Sequence, residues 1–378
     1  MTEHAHGAQQ SGHFAFVDVL NIIACFAVVL LHTSLNVYSP APTRQWTFSA
    51  VYQSLAIFAV PVFFMISGMN LLGYRERYST KLFFRKRFWR VGRALIVGSV
   101  ICYCVYSLFP MSFYGAQAYA ESFGAVDFLK RFLTNQANDT YWFFYSIIYL
   151  YMLVPLLSKA ADDKRCMQYL IALTILCSVA LPFMEQLGVP KRYFGTLLGW
   201  PLYATIGLLY LLLGYYLHHY VTLSETHRLP WAVVFVISTV AMACLTLWTN
   251  HGGNADSYEN YYAGITSPLC VVQSVALFML VRSCESMFKT HGKSTANVIR
   301  VLSGGSLGVY LFHILFVNWV GPARISRTVT ELGQHPFIKA VVVYASTVLI
   351  VVIVKSGIAK AKNEFRAMMR NKEETKER

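Results

Sequence analysis

Charged side chains are scarce in this sequence of 378 residues, because Asp, Glu, Lys and Arg together make up only 13%. Soluble domains carry about 25% charged residues, so a soluble globular protein is excluded. The sequence has no CxxC pair and no HExxH motif, and it therefore lacks the usual signs of a metal site. No internal repeat is visible, which argues against an inverted-repeat transporter without excluding one.

Long apolar runs are the main feature of the sequence, since 56% of the residues are hydrophobic and the mean hydropathy is +0.46. Runs long enough to cross about 30 Å of hydrocarbon lie near 16–36, 48–73, 88–109, 141–158, 168–184, 197–217, 230–249, 263–283, 302–320 and 337–355. The sequence predicts an all-α, polytopic membrane bundle of about ten transmembrane helices. We expect Pro182 to end the fifth helix and the SGGS sequence to delay the start of the ninth to about Leu307.

The distribution of basic residues predicts the orientation of the bundle, because short cytoplasmic loops retain Lys and Arg. One side of the predicted bundle receives most of the 32 basic residues, in the segments 74–93, 159–165, 282–300 and 355–378 and at Arg228. Both termini are therefore predicted to be cytoplasmic, with a polar tail over 1–15, a transmembrane domain over 16–355 and a basic tail over 356–378. The net charge of +14 suits contact with anionic lipid in the bilayer rather than nucleic-acid binding.

Three polar residues share one face of the first helix. At about 100° per residue, Asn21 and His32 differ by roughly 20° around the axis, and Asp18 and His32 differ by roughly 40°. Polar side chains at membrane depth line cavities or bind substrates, or they hydrogen-bond to neighbouring helices. For this helix alone, the two interpretations are equally supported.

A second histidine favours a functional site. The sequence LSGGSLGVYLFHILF places Tyr310 and His313 at mid-depth of the ninth helix. A neutral imidazole can take a proton from a hydroxyl and return it to a leaving group, which is the requirement of acyl transfer. Two buried histidines outside any metal-ligand spacing therefore indicate acid/base chemistry or proton transfer.

The second helix and the basic segment after it supply further candidates. Pro61 and Gly68 interrupt an apolar span beside Ser67 and can kink or open the helix there. The following basic segment, KLFFRKRFWRVGR, either only fixes the topology or binds phosphates through Arg87 and Arg90, with Lys86 close by. Coenzyme A carries such phosphates.

Aromatic residues open the fourth helix in the sequence YWFFYSIIYLYMLVPLL. They are typical of the aromatic belt at a membrane interface, and this interpretation is preferred for Tyr149. Trp142 either belongs to the belt or stacks on a sugar ring.

The order of these sequence patterns resembles the acyltransferase-3 family of integral membrane O-acyltransferases. The resemblance covers about residues 16–355 and rests on five phrases in order, which are FVDVLNIIACFAVVLLH, VPVFFMISG, FFRKRFWRV, YWFFYSIIYLYMLVPLL and GSLGVYLFH. It implies a ten-helix fold in a bacterial plasma membrane. It also implies transfer of an acetyl group from cytoplasmic acetyl-CoA, a cosubstrate and not a permanent cofactor, to a hydroxyl of a cell-surface glycan or lipid-linked sugar.

The resemblance also implies roles for individual residues. His32 corresponds to the family's essential histidine and would act as general base or transient acyl carrier, with Tyr310 and His313 as the catalytic residues of the ninth helix. Arg87 and Arg90 correspond to the family's basic pair and would bind acetyl-CoA. The residues themselves, rather than the resemblance, suggest Lys86 and Asn21 as further contacts of acetyl-CoA and Trp142, Ser67 and Asp18 as contacts of the acceptor.

This chain departs from the family pattern at two places. Many members have Arg where this chain has Asn21, and Arg90 or Arg93 would then supply the missing charge. Many have His where this chain has Thr140. The rival class is a secondary transporter or flippase in which His32 and Asp18 relay protons or contact substrate.

Overall fold

The computed structural model describes residues 14–38, 43–193, 206–250, 258–289, 292–320 and 335–376. Within these ranges the secondary structure is helical, apart from one isolated antiparallel bridge between Phe113 and Trp319. The α-helices are α1 (Ala15–Thr33), α2 (Arg44–Ala56), α3 (Ala59–Leu71), α4 (Thr80–Phe83), α5 (Trp89–Leu108), α6 (Gln117–Glu121), α7 (Ala125–Leu133), α8 (Trp142–Ala160), α9 (Lys164–Ile175), α10 (Leu181–Gln186), α11 (Ile206–Tyr220), α12 (Arg228–Asn250), α13 (Pro268–Ser283), α14 (Glu285–Lys289), α15 (Lys293–Asn318) and α16 (Pro336–Lys376). Two π-helical segments, Phe84–Phe88 and Leu176–Ala180, join α4 to α5 and α9 to α10.

The predicted class, a polytopic helical membrane protein, is confirmed. Eight helical segments in the described ranges are long and apolar enough to cross a membrane, and α13 is a shorter apolar helix. α12 and α16 turn apolar side chains such as Val236 and Ile353 outward, as helices in contact with lipid do. The number of ten spans and the cytoplasmic termini stay predictions, and residues 1–13 of the predicted N-terminal tail lie outside the described ranges.

Two predicted helix boundaries are wrong. α15 begins at Lys293, so the SGGS sequence lies inside the helix. Gly308, a little further along, faces Val351 of α16 so closely that a Cβ would lie 2.7 Å from a Val351 methyl carbon. The small residues of this helix therefore allow close helix packing and do not delay its start. Pro182 does not end the fifth span, because it lies in the first turn of α10, where a missing N–H is tolerated.

The second predicted span is interrupted at Ile57 and Phe58, between α2 and α3. Pro61 lies in the first turn of α3, and the helix continues through Gly68. A Cβ at Gly68 would overlap the carbonyl oxygen of Leu211, and a Cβ at Gly214 would overlap the backbone of Met65. The glycines thus permit α3 and α11 to cross backbone to backbone, and Gly68 does not open the helix.

α1 is held at both ends. The Glu285 carboxylate accepts hydrogen bonds from the backbone N–H groups of Ala15 (3.3 Å) and Phe16 (2.7 Å), which satisfies donors that a helix start leaves unpaired. Near the other end, the Gln53 side-chain amide donates to the Leu31 carbonyl at 2.8 Å. The last turn of α1, which carries His32, is therefore fixed against α2, and α1 also packs against α15 and α16.

Candidate active site

His32 of α1 and His313 of α15 lie side by side. Their ring centroids are 5.2 Å apart and their planes are inclined by 45°. His313 is completely buried, whereas His32 is partly exposed. The two histidines that the sequence places on separate helices therefore form a pair, which we call the histidine pair.

The surroundings of His313 fix which of its ring nitrogens carries a proton. Nδ1 lies 3.1 Å from the Val309 carbonyl oxygen and 2.8 Å from that of Tyr310. Carbonyl oxygens only accept hydrogen bonds, so Nδ1 must be the donor, and in the neutral ring Nε2 then carries the lone pair. Nε2 is buried and has no hydrogen-bond partner in the described ranges. His313 thus offers a basic nitrogen whose hydrogen-bonding capacity is unused.

Tyr310 lies one helical turn before His313, with ring centroids 6.0 Å apart. Its buried hydroxyl donates to the Thr140 carbonyl oxygen at 2.8 Å. The Thr140 hydroxyl in turn donates to the Asn138 side-chain oxygen at 2.8 Å. Thr140 therefore orients Tyr310 through its backbone carbonyl.

An inner cavity of about 260 Å³ lies between α1, α3, α5, α8 and α15, on the side of the bundle predicted to be cytoplasmic. Four of the residues predicted from the sequence line it, namely Asn21, Ser67, Arg90 and Tyr310. The structure thus brings together polar residues from four separate helices. This cavity is next to the histidine pair, because Tyr310 lines the cavity and its ring also contacts that of His313.

Arg90 supplies a positive charge beside Asn21, because both side chains line the inner cavity. Arg93, the other candidate to replace the missing arginine of α1, lies over the Trp89 ring at 5.9 Å and is not part of this lining. Arg87 lies close enough to Tyr151, a buried lining residue, for its charge to act on the hydroxyl. The π-helical turn just before α5 carries Arg87, and such turns are frequent at functional sites.

The other predicted residues lie at the edge of this cavity or away from it. Asp18 accepts a hydrogen bond of 2.7 Å from Ser303, which lines the cavity. Lys86 is exposed, with its ammonium 5.6 Å from the centre of the Tyr78 ring. Trp142 is 38% exposed at the start of α8 and lines neither of the two cavities described here.

Lys355 is a candidate that the sequence reasoning missed. Its ammonium group donates to the carbonyl oxygen of Gly304, which lines the inner cavity. It is also near enough to Arg90 for the two charges to interact. In the sequence Lys355 only marks the end of an apolar run, so its contribution to the cavity depends on how α16 packs against α15.

An outer cavity of about 340 Å³ lies at the opposite end of α15. Residues of α15 that line the inner cavity include Ser303, Leu307 and Tyr310, and those that line the outer cavity are Ile314 and Asn318. Their spacing of three or four residues places them on one face of the helix. Along α15, His313 lies between the two groups, next to Ile314 of the outer lining and one turn after Tyr310 of the inner lining.

The described ranges contain no group of three or more His, Cys, Asp or Glu side chains arranged to hold a metal ion.

Fold and site together define a multi-helix membrane protein in which two histidines from separate helices lie side by side, beside residues that line an inner and an outer cavity. The chain belongs to the acyltransferase-3 family, since the family profile, described as an acyltransferase domain, matches residues 14–355. No curated protein and no solved structure matched the chain. The protein is therefore a membrane acyltransferase.

Proposed function

We propose that the protein transfers an acetyl group from cytoplasmic acetyl-CoA to a hydroxyl of a cell-envelope glycan or lipid-linked sugar at the bacterial plasma membrane. The observation that supports this most directly is the position of the histidine pair, between a cavity with a positively charged rim and a second cavity at the other end of α15.

The donor occupies the inner cavity in this proposal. Arg90 and Lys355 are cations at its edge, and guanidinium and ammonium groups bind phosphoryl oxygens well. Arg87 and Lys86 extend the same basic region. The phosphates of coenzyme A bind to these residues, while the thioester reaches past Asn21 and Ser67 towards Tyr310.

His32 acts as the general base. Its ring is the more exposed of the pair, so it takes the proton of the acceptor hydroxyl as the hydroxyl oxygen attacks the thioester carbonyl carbon. The new C–O bond forms, the C–S bond breaks, and the imidazolium returns the proton to the coenzyme A thiolate.

His313 stabilises the charged form of His32. Because its Nδ1 donates to backbone carbonyls, its Nε2 can only accept. An N–H group of the His32 imidazolium supplies the missing partner, which is the arrangement of a base oriented by a further group. His313 Nε2 has no hydrogen-bond partner among the described residues, and catalytic hydrogen bonds often tighten only when substrate binds.

The test compares wild type with His32→Gln in proteoliposomes that receive acetyl-labelled acetyl-CoA and a glycan extract. Transfer of label to glycan should fall at least about a hundredfold in His32→Gln, as expected for loss of a general base. His227→Gln, which alters an exposed histidine before α12, is the matched control and should transfer normally.

Other outcomes would contradict the proposal. Acetyl transfer by His32→Gln at the wild-type rate would remove His32 from the mechanism. Label retained on the wild-type protein would favour an acyl-enzyme over direct transfer. Intact acetyl-CoA with wild type and a suitable extract, together with movement of glycan across the membrane, would favour a flippase.

A further inference from the structure

The outer cavity combines aromatic rings with amide and carboxyl groups. Tyr106 and Tyr119 lie 5.1 Å apart between ring centroids, and Tyr114, which is 62% exposed, also lines the cavity. Asn318 donates to the Tyr106 hydroxyl at 3.1 Å. A sugar ring offers an apolar C–H face and a rim of hydroxyl groups, and this lining provides a partner for each.

The charge of Arg131 in this cavity is already neutralised. Its guanidinium lies 4.4 Å from the centre of the Tyr119 ring, and its Nε donates to the Asp127 carboxylate at 2.6 Å. This hydrogen bond lowers the pKa of Asp127 below its usual value, so the ion pair persists at neutral pH. Arg131 therefore contributes a flat cationic surface over Tyr119 but no net positive charge.

Asp139 gives the cavity a negative bias. Its side chain is exposed and lines the cavity, and it forms no ion pair with any residue in the described ranges. Its charge acts on the hydroxyls of Tyr106 and Tyr119, although on Tyr119 the opposite charge of Arg131 has the larger effect. A carboxylate accepts hydrogen bonds from sugar hydroxyls and repels a second carboxylate.

On α15 the lining of the outer cavity begins at the residue after His313. Ile314 follows His313 directly in α15, and Asn318 lies one turn further along. The cavity volume of about 340 Å³ falls within the range of small-molecule sites, about 300–1,000 Å³. A ring bound here can present a hydroxyl towards His32 and His313.

We propose that the outer cavity is the acceptor subsite and that it selects an uncharged, hydroxyl-rich ring over an anionic one. Tyr114 contacts the face of the ring, and Asp139 accepts hydrogen bonds from its hydroxyls. The inference rests on the acetyl transfer proposed above and adds to it the location of the acceptor and its charge.

The test measures the binding of two matched probes, methyl glucoside and methyl glucuronide, by saturation-transfer NMR on the protein in nanodiscs without acetyl-CoA. Wild type should bind the uncharged glucoside at least about tenfold more tightly than the glucuronide. Asp139→Asn should weaken glucoside binding about tenfold, since a hydrogen bond to a charged acceptor is replaced by one to a neutral amide. It should also reduce the difference in affinity between the two probes. Tyr114→Ala should weaken both probes equally, because the loss of an aromatic surface does not depend on charge.

Glu121→Gln is the control, because it removes a carboxylate from the same outer segment, at a residue that does not line the cavity. This variant should bind both probes as wild type does. Equal binding of the two probes by wild type, or unchanged binding in Asp139→Asn, would overturn the inference. Acetylation of glucoside is measured next, after acetyl-CoA is added to the same samples. Selective binding without acetylation would sustain the subsite and contradict the proposed transfer, whereas acetylation that is unaffected by Asp139→Asn would overturn the subsite alone.

Discussion

Arg90 and Asn21, from different helices, line the same cavity. α1 carries Asn21 where family members often carry Arg, and Arg90 of α5 lines the same cavity. Arg90 is an exposed residue, so the cost of burying its charge is small. In the proposed function it is a phosphate clamp that binds the donor far from the reacting carbon.

Arg90→Ala should raise the KM for acetyl-CoA about tenfold and change kcat much less. Such a clamp contributes nearly equally to ground-state and transition-state binding, and its loss therefore appears in KM. Steady-state release of coenzyme A, measured over a range of acetyl-CoA concentrations, gives both constants. Arg93→Ala, on the same helix but outside the cavity, is the control. A loss confined to kcat would show that Arg90 acts on the chemical step instead.

Individual residues were predictable where a polar group interrupts an apolar run. Asn21, His32 and His313 could be selected in this way. Burial of a polar group in a membrane is costly, and each of these residues interrupts the apolar sequence of a single helix. The outer cavity could not be predicted. Asp139 and Tyr114 are ordinary residues of a loop in the sequence, and only the packing of the outer segments against α15 makes them part of a site.

At the scale of helices, the crossing of α3 and α11 fixes the wall of the inner cavity. Ser67, a lining residue, is next to Gly68, and Gly68 contacts the backbone of Leu211. α11 also packs against α8 and α9. A displacement of α3 at this crossing would therefore move Ser67 relative to Tyr151 on α8.

Gly68→Ala should lower the free energy of unfolding by about 1–3 kcal/mol, the usual cost of overpacking. The added methyl group would overlap the Leu211 carbonyl, which is backbone and cannot rotate away. The apparent melting temperature of the protein in detergent measures the effect. Gly92→Ala in α5 is the control, because nothing lies within 4 Å of its added Cβ; the same loss in both variants would refute the packing role of Gly68.

Helix positions followed from hydropathy, but helix interruptions did not. The break at Ile57–Phe58 lies in apolar residues that give no sign of it, whereas the SGGS sequence looks like a break and is helical. Backbone hydrogen bonds are so favourable in hydrocarbon that glycine and serine remain helical there. Tertiary contacts, such as that between Gly308 and Val351, then determine where the packing of two helices requires a small residue.

For the molecule as a whole, α15 is the wall that both cavities share. Its inner half contacts the positively charged rim with Arg90 and Lys355, and its outer half contacts the cavity with Asp139. In the proposed function an acetyl group enters at one side and leaves at the other, past the histidine pair. This arrangement works only if the inner cavity faces the cytoplasm, where acetyl-CoA is present.

The orientation can be tested with single cysteines at two exposed glutamates, Glu121→Cys on α6 and Glu364→Cys near the end of α16. A maleimide that cannot cross membranes should label Glu121→Cys in intact cells and Glu364→Cys only after permeabilisation. The parent protein, with its eight native cysteines, gives the background. The reverse labelling pattern would place the inner cavity and its cations outside the cell, away from acetyl-CoA. It would contradict the predicted cytoplasmic termini and also the proposed donor site around Arg90 and Lys355.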